Sequence, residues 1–268
     1  MAGVAPQSNP AGPPPIITFL SDFGLCDSYV AEMKAAALRA CPTAVLVDVT
    51  HAIPQGDLLR ATMVLGRTLD AFEPGTIHVA VVDPGVGTDR RLLIARIRGQ
   101  FVVCPDNGLI TWPWRQHGGE VLELTWRPAR HSNTFHGRDI LAPAAAQLAA
   151  GKEVTAIARP LDQPILLEYR PLERGQRLGQ IVLIDHFGNA ITNIPAEVAR
   201  EQRVAGVAVA GRQLGPLRET YGSVARGQAL ALIGSSGLLE IAVRDGSAAQ
   251  VLALRVGDPV ELQEQGEP

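Results

Sequence analysis

The stretch VVDPGVGTDRR, residues 81–91, runs an apolar strand ending straight into an acid, a Pro-Gly turn, a second glycine and two arginines. So tight a bend beyond a strand sets Asp83 and Arg90 where a carboxylate and a guanidinium can serve a ligand, and Asp83 serves equally well there as an ordinary turn residue. A second cluster, NTFHGRDILAP at 133–143, leads directly into helix-forming sequence and offers His136, with Arg138 and Asp139 beside it, as a site candidate, although a histidine in a loop is more often a surface or capping residue. Asp22, at the end of the first apolar run, has the chemistry to accept hydrogen bonds from both hydroxyls of a ribose, and equally to cap a turn. Further on, DHFGNAITN (185–193) brings together Asp185, the Phe187 ring for stacking on a base and the Asn189 amide for its edge. Gly188-Asn189 is also ordinary turn chemistry. Ser235, Ser236 and Glu240 in IGSSGLLEIAV (233–243) form a weaker group, since Ser-Ser-Gly is common in plain loops.

Several chemistries lack their required pattern. The Asp22-Phe23-Gly24 triplet has no Gly-rich phosphate loop or strand lysine beside it, so it is not a kinase signature. Arg90 stands where a dinucleotide fingerprint starting at Gly85 needs its third glycine, and no phosphate-binding G-x-x-x-x-G-K-[ST] occurs. The six histidines make no H-x-x-x-H pair and no Cys-His spacing suits zinc, so no metal is expected. A divalent ion held by Asp22 and Asp83 is the one metal alternative.

Elements able to position these loops are legible. IITFL (16–20) reads as a buried strand; Ser28–Ala40 has helical composition with Asp27 as its N-cap; 44–50 is a strand, 56–72 a helix and 76–82 a third strand. This alternation predicts a parallel, doubly wound sheet, in which ligands bind beyond the carboxyl ends of the strands. Those ends are polar: Ser21, Asp22 and Asp27, then Asp48, Thr50 and His51, then Asp83 and Arg90, then Asp106 and Asn107. Strands at 91–97 and 100–104 follow, then a helix over 138–151 with Pro143 in its first turn. Beyond a Pro- and Gly-rich connector, short strands at 180–187, 203–214, 228–234, 238–245 and 258–263 predict an antiparallel barrel or sandwich. The expected organisation is a disordered tail (1–15), an α/β domain (16–168), a linker (169–176) and an all-β domain (177–265).

The composition narrows the partners. Of 268 residues, 46% are hydrophobic and 19% charged, the net charge is −3, and Lys and Arg are scattered, which argues against nucleic acid. No apolar run reaches the length of a membrane helix, and the opening residues lack the basic and apolar regions of a signal peptide. A cytoplasmic protein is expected, its three cysteines, Cys26, Cys41 and Cys104, reading as buried free thiols.

Taken in order, TFLSDFGLCDSYVAEMKA, VDVTHAI, HVAVVDPGVGTDRR, PDNGL, TFHGRDILAPAAA, IDHFGNAITN and LLEIAVRDGSAA resemble one family over almost the whole chain after the Pro-rich tail. It is that of the S-adenosylmethionine hydrolases, or S-adenosyl-L-methionine hydroxide adenosyltransferases, relatives of fluorinase and chlorinase. The resemblance implies an N-terminal α/β domain with a C-terminal β-barrel. It also implies a homotrimer whose active sites lie between the N-terminal domain of one subunit and the C-terminal domain of its neighbour. The implied reaction is attack of water on ribose C5′ of S-adenosyl-L-methionine, giving adenosine and L-methionine with no cofactor. By the same resemblance the water-activating set falls on Asp83, Arg90 and His136, and the ribose contact on Asp22. Adenine contacts fall on Phe187 and Asn189, and methionine-end contacts on Asp185 and Ser235, with Glu240 and Asp27 as weaker members. The halogenases carry a tyrosine where this chain has Asp83. Two alternatives stay open: another nucleoside-directed hydrolase, metal-assisted for example, and a non-enzymatic protein that binds S-adenosylmethionine or adenosine.

Overall fold

The computed structural model describes residues 13–201 and 204–264, so most of the expected tail lies outside the described residues. The chain divides between Leu167 and Glu168 into two compact units.

The first unit begins with β1 (Ile16–Ser21), α1 (Tyr29–Ala40), β2 (Val45–Thr50), α2 (Leu58–Ala71) and β3 (Ile77–Val81). It continues with β4 (Leu92–Ile97), β5 (Gln100–Pro105), α3 (Thr111–His117), β6 (Glu120–Leu124), a π-helical turn (Gly137–Leu141), α4 (Ala142–Ala149) and β7 (Ala158–Pro160). Seven strands form one sheet in the order β2-β1-β3-β5-β4-β6-β7. β2, β1, β3 and β5 are mutually parallel, while β4, β6 and β7 join antiparallel.

The two-residue period of a strand sorts the core into two layers. Ile17, Phe19, Ile77, Val79 and Val81 face Met33 and Ala37 of α1 and Ala142, Ala145 and Ala146 of α4. Leu20, Ala80 and Val82 belong to the opposite layer with Ala61, Leu65 and Leu69 of α2. Within the sheet, His78 is buried, its Nδ1 2.7 Å from Thr18 Oγ1 and its Nε2 2.7 Å from Gln100 Oε1. Burial pushes the His78 pKa down to about 4, so it sits neutral in this core.

The second unit contains β8 (Leu178–Ile184), β9 (Ala190–Pro195), α5 (Ala196–Glu201), β10 (Val204–Val209), β11 (Arg212–Gly215), β12 (Ala229–Ile233), β13 (Leu238–Val243), α6 (Ala248–Val251) and β14 (Pro259–Glu264). All pairings in the order β11-β10-β14-β8-β9-β13-β12 are antiparallel. Arg218, just beyond β11, bridges to Leu232 in β12, so the sheet curls almost into a closed barrel around Ile181, Val207, Leu239, Ile241 and Val260. An α/β sheet followed by an antiparallel, barrel-like sheet is the expected fold. Leu172, within the expected linker, is buried in this second core, its amide bonded to Asn193 O at 2.8 Å.

Three local expectations are corrected. Cys26 is exposed, because it rides on the surface loop between β1 and α1; Cys41 and Cys104 are buried, and all three are free thiols. The N-cap of α1 is Ser28 and not Asp27, and its hydroxyl bonds the Glu32 side chain and no backbone amide. The helix foreseen over 138–151 opens as a π-helical turn before α4. Pro143 lacks the N–H that an α-helix would aim at the carbonyl of Asp139, and the Ala142 amide before it bonds Gly137 O, five residues back. Among the described residues no helix is long and apolar enough to cross a membrane.

Candidate active site

The strand order 2-1-3 reverses direction between β1 and β3, and the carboxyl ends of the flanking strands leave a crevice there in a sheet of this kind. Asp22 follows β1 directly, Asp83 lies two residues beyond β3, and Asp106 and Asn107 follow β5. Asn107 Nδ2 donates to Val82 O at 2.8 Å and so ties the last of these ends to the second.

Beyond Val82 the chain makes consecutive turns, Val86 N–H to Asp83 O at 3.2 Å and Thr88 N–H to Gly85 O at 3.1 Å. They carry Arg90 back over Asp83. Arg90 Nε lies 2.6 Å from Asp83 Oδ1 and 2.8 Å from Oδ2, and Arg90 Nη2 also donates to Oδ2. Both side chains are largely buried, 9% exposed for Arg90 and 5% for Asp83. Gly87 has φ +84°, and a Cβ there would stand 2.8 Å from Asn133 O; only glycine lets this turn pass the loop that brings in His136.

His136 ends that loop at the start of the π-helical turn. A Cβ on the next residue, Gly137, would meet Met33 Sδ at 3.1 Å and Val81 Cγ1 at 3.4 Å, so a bare backbone lets the turn lie against β3. His136 Nδ1 then lies 3.1 Å from Arg90 Nη2. A guanidinium only donates, so Nδ1 accepts and the ring is neutral with its proton on Nε2. Burial and the positive charge of Arg90 both lower the His136 pKa, outweighing the opposing pull of Asp83; His131 and Arg127 add further lowering. Three residues 46 and 7 positions apart thus form one linked group, a carboxylate, a cation and a neutral imidazole.

Asp22 is half-buried and its Oδ2 accepts from Gly56 N–H at 3.0 Å. A Cβ on Gly56 would stand 3.3 Å from Pro84 Cγ, so the Gly56 backbone lies against Pro84 and sets Asp22 beside the Asp83 turn. Asp27 is exposed in the loop before α1.

In the second unit, Asp185, Phe187 and Asn189 form one turn. Asp185 Oδ1 accepts the amides of Phe187 and Asn189, both at 2.9 Å, and its Oδ2 accepts Asn189 Nδ2 at 3.1 Å. Asp185 therefore organises the turn, and the Phe187 ring projects 74% exposed. A cavity of about 690 Å³ is lined by Phe187, Asn189, Tyr221, Val243 and Asp245. Glu240 is buried and accepts the Tyr221 hydroxyl at 2.6 Å, so it meets the cavity through Tyr221; burial and Glu240 raise the Tyr221 pKa to about 12. Ser235 is exposed in the turn between β12 and β13.

Residues 17–158 match the family model for the SAM hydroxide adenosyltransferase N-terminal domain, and residues 179–261 match the model for its C-terminal domain. The chain belongs to the SAM hydroxide adenosyltransferase family. A relative from Thermus thermophilus named (R)-S-adenosyl-L-methionine hydrolase is 40% identical over 92% of this chain and 98% of its own. A fluorinase from an Actinoplanes species is 32% identical over 69% of this chain and 73% of its own. A solved structure of an uncharacterized conserved protein from Thermotoga maritima superposes with a TM-score of 0.86 at 34% identity, covering 92% of this chain and all 100% of the other.

Against this family background, the residues that sequence reasoning missed are mostly supports. Arg91 pairs with Asp106, Nε to Oδ2 at 2.8 Å, and Asp106 Oδ1 accepts Ile165 N–H at 2.7 Å; this fully buried carboxylate braces the turn that carries Arg90. Arg127 and His131 tune the charge around His136, and Tyr221 walls the cavity beside Phe187. Tyr221 stands in the stretch RETYGS, where nothing in the sequence signals it. Among the described residues no group of three or more His, Cys, Asp or Glu side chains is arranged to hold a metal ion.

Proposed function

We propose that this protein is a hydrolase that converts S-adenosyl-L-methionine to adenosine and L-methionine by attack of water on ribose C5′. The observation that carries it is the linked Asp83, Arg90 and His136 group at the sheet's reversal point, in a chain of the SAM hydroxide adenosyltransferase family. A sulfonium leaves as a neutral thioether, so the site has to orient water more than to ionise it. The water oxygen forms its bond to C5′ as the C5′–S bond breaks, and the bonding pair goes to sulfur. The water proton passes to the Asp83 network and then to solvent. The reaction is redox-neutral and its leaving group is already activated, so it requires no cofactor.

The roles follow from the bonding. Asp83 accepts a hydrogen bond from the water and aims its lone pair, Arg90 holds the carboxylate rigid and offsets its charge, and the Nε2–H of His136 is the donor that completes the group. Asp22 takes the ribose hydroxyls, Phe187 and Asn189 the adenine, and Asp185, Ser235 and Glu240 serve the methionine end or the shape of the pocket. The named hydrolase relatives make the (R) sulfonium the epimer to assay first. The exposed Phe187 ring is the kind of apolar surface that a ligand or a second subunit covers, which fits a homotrimer with sites shared between subunits. Free cysteines fit a reducing cytoplasm.

The test is turnover in oxygen-18 water with Asp83→Ala and His136→Ala alongside. Label in the 5′ oxygen of adenosine, with both variants crippled, is expected; unlabelled product or full activity in both variants refutes the mechanism. Halide is a second discriminator. A halide in the water's place has no proton to donate to Asp83 and would face the carboxylate as one anion against another, a repulsion that Arg90 offsets only in part. Substituting fluoride or chloride into the assay should therefore yield no 5′-halo-adenosine, and its robust formation would overturn the choice of water.

A further inference from the structure

A second polar chain ends beside Asp22 and has no part in the water-activating group. Ser21 and His51 are both buried, and Ser21 Oγ lies 2.7 Å from His51 Nδ1. His51 Nε2 lies 3.0 Å from Asp48 Oδ1, and Asp48 Oδ2 accepts Lys34 Nζ at 2.6 Å. Burial acts to raise the Asp48 pKa, but the hydrogen bonds from Lys34 and His51 outweigh it and the net shift is downward, so Asp48 is an acceptor. His51 therefore donates from Nε2 to Asp48, its Nδ1 shares a hydrogen bond with the Ser21 hydroxyl, and Ser21 Oγ accepts Phe23 N–H at 3.3 Å. The carbonyl of His51 accepts Gly24 N–H at 2.8 Å. The two amides that follow Asp22 are thus both tied to the Ser21 and His51 pair, while Asp22 Oδ2 is tied to Gly56.

The arrangement looks like a nucleophilic triad, but Ser21 is 0% exposed and out of reach of a substrate. Its product is a fixed loop. We infer that Ser21 and His51, with Asp48 behind them, are positioning residues that set the Asp22 carboxylate for the ribose hydroxyls. This rests on the assignment of Asp22 to the ribose.

The experiment compares adenosine with 2′,3′-dideoxyadenosine, which lacks both hydroxyls, by calorimetric titration of the intact protein and its variants. Ser21→Ala deletes one atom. His51→Gln reaches Asp48 and loses Ser21, whereas His51→Asn places its amide near the Nδ1 position and keeps Ser21. Wild type binds adenosine more tightly, and Asp22→Ala loses that preference. In Ser21→Ala and His51→Gln the preference falls about tenfold, the worth of one well-placed hydrogen bond, with dideoxyadenosine affinity nearly unchanged. His51→Asn keeps the preference within about threefold of wild type. In turnover, KM for S-adenosylmethionine rises about tenfold in Ser21→Ala while kcat stays within about threefold. A wild type that does not distinguish the two ligands, or an Asp22→Ala that still does, overturns the ribose assignment. A preference lost in Asp22→Ala but intact in Ser21→Ala and His51→Gln overturns the positioning inference alone. Equal losses for both ligands would also overturn it, since they mark general damage to the fold.

Discussion

Asparagine at position 83 keeps the shape of the side chain and removes its charge. Asp83 and Arg90 share three close contacts, with Nε at 2.6 and 2.8 Å from the two oxygens and Nη2 on Oδ2. The best orientation of an asparagine keeps its oxygen at the Oδ2 position, which puts its NH2 where Oδ1 stands, facing the Nε–H of Arg90. Donor meets donor, and Arg90 is left largely buried without a counter-charge. Breaking a buried pair costs about 3–5 kcal/mol, and the contacts that asparagine retains put this case near the lower end, about 3 kcal/mol of unfolding free energy. Moving Arg90 also disturbs its 3.1 Å contact with His136, so charge and alignment fail together. A general base or water-orienting carboxylate contributes about 10²–10⁴ in rate, and kcat for Asp83→Asn should fall within that range. KM should stay within about threefold, because the role proposed for Asp83 engages the water and not the substrate. Adenosine release followed by chromatography gives kcat and KM, and urea unfolding gives the stability. A kcat within about threefold of wild type in a folded variant would refute the assignment of water orientation to Asp83.

Arg90→Gln removes a lowering influence on His136 and leaves that of Asp83, which raises it; the His136 titration seen by NMR should move upward, and a downward move would contradict the electrostatics assigned to the pair. His78 falls from 6.5 to about 4 on folding, so the unfolded chain takes up its proton first as pH drops and stability is lost progressively from about pH 6.5 to pH 4. The full loss is roughly 3 kcal/mol, and His78→Gln should remove that part of the acid-side slope in denaturant titrations run across this range. Gly188 has φ +84°, and a Cβ there would lie 2.0 Å from Ser247 Oγ and 2.6 Å from its Cβ. Gly188→Ala should therefore destabilise the protein by about 2–4 kcal/mol and weaken adenosine binding by displacing Phe187 and Asn189, both read by calorimetry.

The parallel strands were legible because their runs are apolar on both faces and alternate with helix-period segments; IITFL and TIHVAVV admit little else. The π-helical turn was not, since it depends on a missing proline N–H and on Gly137 lying against Val81. Asp83 and Arg90 were readable as polar residues 7 apart across a tight turn at a strand end, and the family resemblance made them a pair. His136 stands 46 residues beyond Arg90, and local sequence left it a loop histidine; the family resemblance joined it to the others. The Ser21 and His51 pair was visible only as polar residues at two strand ends, because their contact depends on β1 and β2 lying side by side.

Acid residues at strand ends look alike in sequence, and what separates them is how many of their lone pairs the fold already uses. Asp106 has one oxygen on Arg91 and the other on the Ile165 amide, and with no exposure it has nothing to offer a ligand. Asp185 spends both oxygens on its own turn, so its part in the proposed site is the placement of Phe187 and Asn189. Asp48 closes the chain from His51. Asp22 has one oxygen on Gly56, which leaves its other oxygen for a hydroxyl pair. Asp83 spends its contacts on Arg90, a partner that fixes its direction and offsets its charge while leaving the carboxylate lone pairs that point away from the guanidinium. A carboxylate so paired keeps a fixed direction and a partly offset charge. That is the balance a sulfonium substrate asks for, since its leaving group needs no protonation and its attacking water needs mainly to be held in line.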